Sequence, residues 1–212
     1  MNKGLFVTFE GGEGSGKTTI ISHLIEELNK LNIEYVITRE PGGCDISEQI
    51  RDIILDVENT MIHKRTEALL YAASRAQHVE EVLRPALDKN KLVICDRYVD
   101  SSIIYQGYAR NNSIDDIWAI NNFAMDNIIP DITIFFDITP KEAFERLEKY
   151  SRQMNRLDLE DISFHNEVYD AYMVLAKQDR FVKVDATKSI EEVVADVYKI
   201  VYSEITKRGL CE

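Results

Sequence analysis

Gly11 and the run Gly16-Lys17-Thr18 are separated by four residues in the stretch FEGGEGSGKTTI, residues 9–20. The spacing satisfies G-x-x-x-x-G-K-[ST], and an apolar run, LFVTF (5–9), leads into it. Glycines let a backbone turn its N–H groups inward around an anion. A helix opening near Lys17 adds about half a positive charge at its N-terminus. Lys17 is long enough to reach the β- and γ-phosphates of a nucleotide, and the Thr18 hydroxyl can ligate Mg²⁺. The residues expected to hold those phosphates are Gly11, Gly12, Glu13, Gly14, Ser15, Gly16, Lys17, Thr18 and Thr19. Glycine-rich turns open many helices; the strand before and the helix after make this one a phosphate cradle. A cradle alone does not separate a kinase from a GTPase, a motor or a transporter ATPase.

Other stretches narrow the choice. NKLN (29–32) and NKLV (90–93) lack the aspartate of an Asn-Lys-x-Asp guanine reader, and no LSGGQ-like signature occurs. In CDRYVDSSIIYQGYAR (95–110), Asp96 closes the apolar run LVIC, where a Walker-B carboxylate holds Mg²⁺ through water. Arg97 would face the same crevice; the alternative is a surface Asp–Arg pair after a strand. TREPGG (38–43) ends another strand with an Arg-Glu pair, and LLYAASRAQH (69–78) sets Tyr71 and Arg75 four apart on one helical face. On bulk properties alone, these two stretches also fit a loop and a solvated helix face.

Together, FEGGEGSGKTT, TREPGG, LLYAASRAQH, CDRYVDSSIIYQGYAR, PDITIFFDITP and NRLDLED resemble the bacterial thymidylate kinases in order and spacing, from about residue 5 to residue 202. The resemblance implies a Mg²⁺-dependent transfer from ATP to dTMP by a single nucleoside monophosphate kinase domain spanning residues 1–212. It implies that Arg97 touches the dTMP phosphate near the transferred group. Arg39 and Arg51 would hold the acceptor phosphate, with Glu40 near the metal and its waters. Tyr71 would stack on thymine, Arg75 would donate to its O4, and Ser102 and Gln106 would reach the base edge. Tyr105 would crowd the 2′ carbon, and Glu10 would belong to the same acceptor site. Thr18 and Asp96 would serve the metal. The family's dimer makes a homodimer the expected assembly.

Some members carry an arginine inside the phosphate loop; this loop has Glu13 and Ser15 there instead. The missing cation is expected from a mobile lid at about 148–161, EKYSRQMNRLDLED, through Arg152 or Arg156, with Arg146 lying along the adenine. The catalytic set is then Lys17, Arg97, Arg152 and Arg156. A solvated helix with i,i+4 pairs such as Glu148–Arg152 is the alternative for that segment. Where the family writes Asp-Arg, this chain has Asn155-Arg156. On this reading Arg156→Ala should cut turnover far more than it raises KM for dTMP.

The elements that must position these groups are legible. Apolar runs at 5–9, 34–38, 92–95, 132–136 and 181–184 read as strands, and helical patterns follow near 20–31, 45–57, 65–88 and 114–126. Thr139-Pro140-Lys141-Glu142 and Ser189 to Glu192 read as helix starts. Unbroken apolar strands alternating with helices indicate an α/β fold, a P-loop NTPase three-layer sandwich around a five-stranded parallel sheet. Ligands in such sheets bind beyond the carboxyl ends of the strands.

Bulk properties set the limits. The 212 residues suffice for one domain with its own core. A net charge of −12 argues against a nucleic-acid partner and requires a few placed cations to reverse the field at a phosphate site. Cys44, Cys95 and Cys211 are scattered and the four histidines show no ligand spacing, which fits a reducing cytoplasm and no structural zinc. No stretch approaches a spanning helix, so no membrane partner is expected.

Overall fold

A computed structural model describes residues 4–31, 33–147 and 155–210. Five strands, β1 (Leu5–Glu10), β2 (Tyr35–Arg39), β3 (Leu92–Asp96), β4 (Ile132–Asp137) and β5 (Phe181–Asp185), form one parallel sheet in the order β2-β3-β1-β4-β5. Alternation along β1 assigns the two faces. Leu5, Val7 and Phe9 point to one side with Leu92, Ile94, Ile134 and Phe136. Phe6 points to the other with Val93, Cys95 and Phe135. The first face is covered by α1 (Lys17–Leu28) and α9 (Ile190–Arg208), through Leu24, Leu28, Val197 and Val201. The second is covered by α3 (Lys64–His78), α6 (Ile114–Met125) and α8 (Ile162–Leu175). This is the expected three-layer α/β sandwich.

Local chemistry explains where elements begin. Ser189 and Glu192 form the expected capping box of α9, which closes at Gly209 in the left-handed conformation. Thr139 and Glu142 exchange hydrogen bonds at the start of α7 (Pro140–Leu147). α2 (Asp45–Leu55) is two residues shorter than its helical pattern suggested. Neither α5 (Val99–Ser102) nor α8 was anticipated.

Two further departures are π-helical segments. The single helix expected at 65–88 is α3, a π-helical segment at Val79–Leu83 and then α4 (Arg84–Asp88). A second π-helical segment, Ile103–Ala109, continues α5. Its consecutive residues Tyr105 and Gln106 both line the cleft described below.

Candidate active site

The register of the sheet brings the chemistry to one level. Asp96 at the end of β3 stands opposite Phe9 of β1 and Arg39 of β2. The phosphate loop leaves β1 there, and a cleft of about 1360 Å³ opens above these strand ends. Glu13, Gly14, Ser15, Gly16, Lys17, Thr18 and Thr19 line it; Gly11 and Gly12 form the loop's base. Gly14 adopts φ 72°, and a Cβ there would lie 2.8 Å from the Leu147 side chain and 2.9 Å from the Ala143 carbonyl. Only glycine lets the loop pass this close to α7.

Lys17 is buried and folds over its own loop. Its Nζ donates to the carbonyls of Gly11 and Gly12 at 3.1 Å and to Ser15 Oγ at 3.2 Å. Burial, with the charge of Arg97 adding to it, lowers the ammonium to about pH 8 against the pull of Asp96, Glu13 and Glu10. The Thr18 hydroxyl donates to Asp96 Oδ2 at 3.0 Å, while Asp96 Oδ1 is buried with no hydrogen-bond partner among the described residues. One hydroxyl and one carboxylate with a spare oxygen, beside a phosphate cradle, fit Mg²⁺, which takes few protein ligands and borrows the rest from phosphate and water. Among the described residues no cluster of three or more His, Cys, Asp or Glu competes for a metal.

Arg97 sits at the centre. Its backbone is left-handed at φ 69°, a conformation costing of order 1–2 kcal/mol for a residue with a Cβ. Its N–H donates to the Phe9 carbonyl at 3.0 Å, which pins that turn beside the loop. The guanidinium donates to Glu13 at 2.8 Å, to Ser101 Oγ at 3.1 Å and to Tyr172 Oη at 3.3 Å, and lies 5.1 Å from the Tyr105 ring centre. Glu13, where an arginine was sought, therefore holds the site's central arginine. Glu10 does not reach the cleft: it is fully buried and accepts from Tyr98 N–H, Ser101 Oγ and Tyr172 Oη at 2.7–2.8 Å. It steadies the groups that steady Arg97.

The other wall collects the remaining motifs. Arg39, Arg51, Tyr71, Arg75, Tyr105 and Gln106 all line the cleft. Arg39 pairs with Glu48 at 2.9 Å, and Arg51 donates to the Pro41 carbonyl at 2.6 Å. Arg75 is buried in a fixed pose: Nε donates to Glu40 at 2.8 Å, and Nη1 donates to Ser102 Oγ at 3.1 Å and to Asn121 Oδ1. Glu40 is buried between Arg75 and His78, each at about 2.8 Å, so it anchors the arginine; it also lines the cleft, and its N–H donates to the Asp96 carbonyl at 3.0 Å. Ser102 lies behind the wall, supporting Arg75 instead of facing the cleft.

Arg152 lies outside the described residues, as does the Glu148–Arg152 pair. Arg156 lies within them and is not aimed at the phosphate loop. Its Nε donates to the Ile54 carbonyl at 2.9 Å and its Nη2 to Glu67 at 2.6 Å. The turn before it is built by Asn155, whose Oδ1 accepts from the N–H groups of Leu157 and Asp158 at 2.8 and 3.2 Å. Asn155 thus supplies the acceptor that an aspartate would offer there. Arg146 donates to the carbonyls of Ala186 and Thr187 at 2.7 and 3.1 Å, and so joins the donor end of the cleft to the β5–α9 loop. That loop, from Ala186 to Ser189, was missed by motif reading because it carries no chemistry-bearing pattern. Glu67, Ser101 and Tyr172 were missed too. Only Glu67 left a signal, lying four and eight residues before Tyr71 and Arg75 on one helix face.

Comparison with known proteins follows the same outline. The thymidylate kinase family model matches residues 9–197. A thymidylate kinase of Oceanobacillus iheyensis is 49% identical over 208 residues, spanning 97% of this chain and 92% of its own. Similar proteins of that name from Clostridium novyi and Anoxybacillus flavithermus are 50% and 51% identical. They span 93% and 96% of this chain, and 98% and 99% of their own.

Proposed function

The chain belongs to the thymidylate kinase family and phosphorylates dTMP with ATP; we propose that the transfer is direct and in line, with Arg97 as the cation shared by both substrates. The observation that carries this reading is the Arg97 guanidinium itself, tied to Glu13 of the donor loop on one side and lying against Tyr105 of the acceptor wall on the other. An oxygen of the dTMP phosphate attacks the γ-phosphorus, the bond to the β-phosphate oxygen breaks, and ADP leaves with its charge met by the cradle. Lys17 turns from its loop carbonyls to the β- and γ-phosphates. Arg39 and Arg51 hold the acceptor phosphate, Tyr71 stacks on the base, and Arg75 donates to its O4. Thr18 and Asp96 would hold Mg²⁺, which when bound neutralises phosphate charge. Arg156 anchors the lid end on the acceptor side.

The same reading extends to the setting. No helix among the described residues is long and apolar enough to cross a membrane, and the scattered thiols suit the cytoplasm. Leu69 of α3 and Phe123 of α6 expose apolar side chains on adjacent helices, which suits a homodimer. The decisive measurement is a coupled assay of ADP release with Mg-ATP and a panel of dTMP, dUMP, dCMP and UMP. Release should depend on the acceptor and favour dTMP. ATP binding without acceptor-dependent release would replace the kinase by a nucleotide switch.

A further inference from the structure

The acceptor wall converges on Glu67, a residue that no motif singles out. Its carboxylate is 1% exposed. Oε1 accepts from Gln106 Nε2 at 3.0 Å and Arg110 Nε at 3.4 Å. Oε2 accepts from Arg156 Nη2 at 2.6 Å and Arg110 Nη2 at 3.5 Å. Burial alone would raise this carboxyl, but hydrogen bonds from Gln106 and Arg156 and the charges of Arg110 and Arg156 hold it below the usual range. It is an anion at neutral pH, and an anionic carboxylate only accepts hydrogen bonds. One amide orientation is therefore left to Gln106: its NH₂ faces Glu67 and its Oε1 faces away. That oxygen is buried, belongs to a residue of the cleft wall, and has no hydrogen-bond partner among the described residues. A buried carbonyl left unpaired costs about 1–3 kcal/mol, so the position favours a ligand that donates.

We propose that Glu67 is a specificity-determining positioning residue, locking the Gln106 amide so that Oε1 accepts the N3–H of the acceptor base. The proposal rests on dTMP being the acceptor. Thymine and uracil offer a donor at N3 beside an acceptor at O4. Cytosine offers the reverse, an acceptor at N3 beside an amino donor. Against cytosine the locked oxygen of Gln106 meets a lone pair, and Arg75, which has no acceptor, meets an amino group. A free glutamine could turn its amide over and serve either base. The carboxylate behind it removes that freedom, whereas a glutamine at position 67 could accept or donate and would restore it.

The test uses the full-length enzyme with Glu67→Gln and Gln106→Leu, singly and combined. kcat and KM are measured for dTMP and dCMP, with thermal melts alongside. In Glu67→Gln the ratio of kcat/KM for dTMP over dCMP should fall at least tenfold, chiefly through KM. Adding Glu67→Gln to Gln106→Leu should lower that ratio no further. Equal losses on both bases, or a further fall in the double variant, overturns the proposal. If Glu67→Gln does not fold, Gln106→Leu decides alone. It should weaken dTMP at least tenfold and leave dCMP no weaker, because a locked oxygen only opposes cytosine; a comparable fall on both bases marks an amide that turns freely and overturns the proposal. A wild type that releases no ADP with dTMP removes the kinase reading and this proposal with it, which separates the two failures.

Discussion

A buried lysine that binds phosphate is set against itself. Without ligand, Lys17 is wrapped in its own loop carbonyls, and burial with the Arg97 charge lowers it to about 8 from 10.5. The unfolded chain keeps that proton to the higher value, so between about pH 8 and 10.5 it binds more protons than the folded protein. The ligand-free protein therefore gains stability from this group as pH rises through that window. ATP binding follows the opposite course, because only the ammonium attracts phosphate. The free-enzyme value appears in kcat/KM for ATP measured with dTMP well below its KM, which should fall about tenfold per pH unit above about 8. In Lys17→Arg, weaker but permanently charged, that inflection should vanish. A wild-type profile flat to pH 9.5 would count against the assignment. Arg97 is anchored differently. Glu13, Ser101 and Tyr172 hold it in place, so it contributes charge without having to be recruited.

At the scale of elements, the site is a meeting of strand ends with one irregular helix. Parallel pairing sets Phe9, Asp96 and Arg39 side by side, so the loop after β1, the turn after β3 and the end of β2 open on one crevice. The π-helical stretch Ile103–Ala109 then brings two consecutive side chains, Tyr105 and Gln106, to the wall. The lid end behaves as a clasp between elements. Arg156 ties the 155–160 turn to the last carbonyls of α2 and to Glu67 of α3, and its own N–H donates to the Leu55 carbonyl at 3.2 Å. That placement reverses the expectation drawn from sequence. Arg156→Ala should raise KM for dTMP several-fold while kcat falls less, because the contact is made in the ground state. Steady-state kinetics with varied dTMP decide it. A collapse of kcat at unchanged KM would return Arg156 to the transferring phosphoryl group.

For the whole molecule, the main tension is between a net charge of −12 and polyanionic substrates. Cations at the cleft are individually braced by acids: Arg97 by Glu13, Arg75 by Glu40, Arg39 by Glu48. Each acid fixes a guanidinium in place. The remaining acids repel one another over the surface. Raising NaCl from about 0.05 to 0.5 M screens that repulsion. The melting temperature of the ligand-free protein should then rise by about 2–4 °C in a thermal-shift series. Over the same range KM for ATP should increase, since the attraction of the cradle is screened as well. A melting temperature that falls with salt would mean that local ion pairs outweigh the global field.

The division between sequence and structure follows the range of the forces. Much that neighbours in the chain set was legible: the glycine spacing before Lys17, the apolar runs of the five strands, and the caps at Thr139 and Ser189, though not α8 with its cap at Asp161. Many motif residues sit at the end of a readable strand or on a readable helix face; Ser102, Tyr105 and Gln106 do not, and were legible only through the motif that contains them. The division of the motif residues into ligand-facing and supporting groups was not legible. Glu10 and Ser102 carry the same chemistry as residues of the cleft wall, yet the fold buries them behind Arg97 and Arg75. Partners across 84 and 89 residues, Glu13 with Arg97 and Glu67 with Arg156, have no local signature at all. Nor does the direction of an amide. A glutamine at position 106 can show either its oxygen or its NH₂, and only the tertiary packing that sets Glu67 against it decides which one faces the cleft.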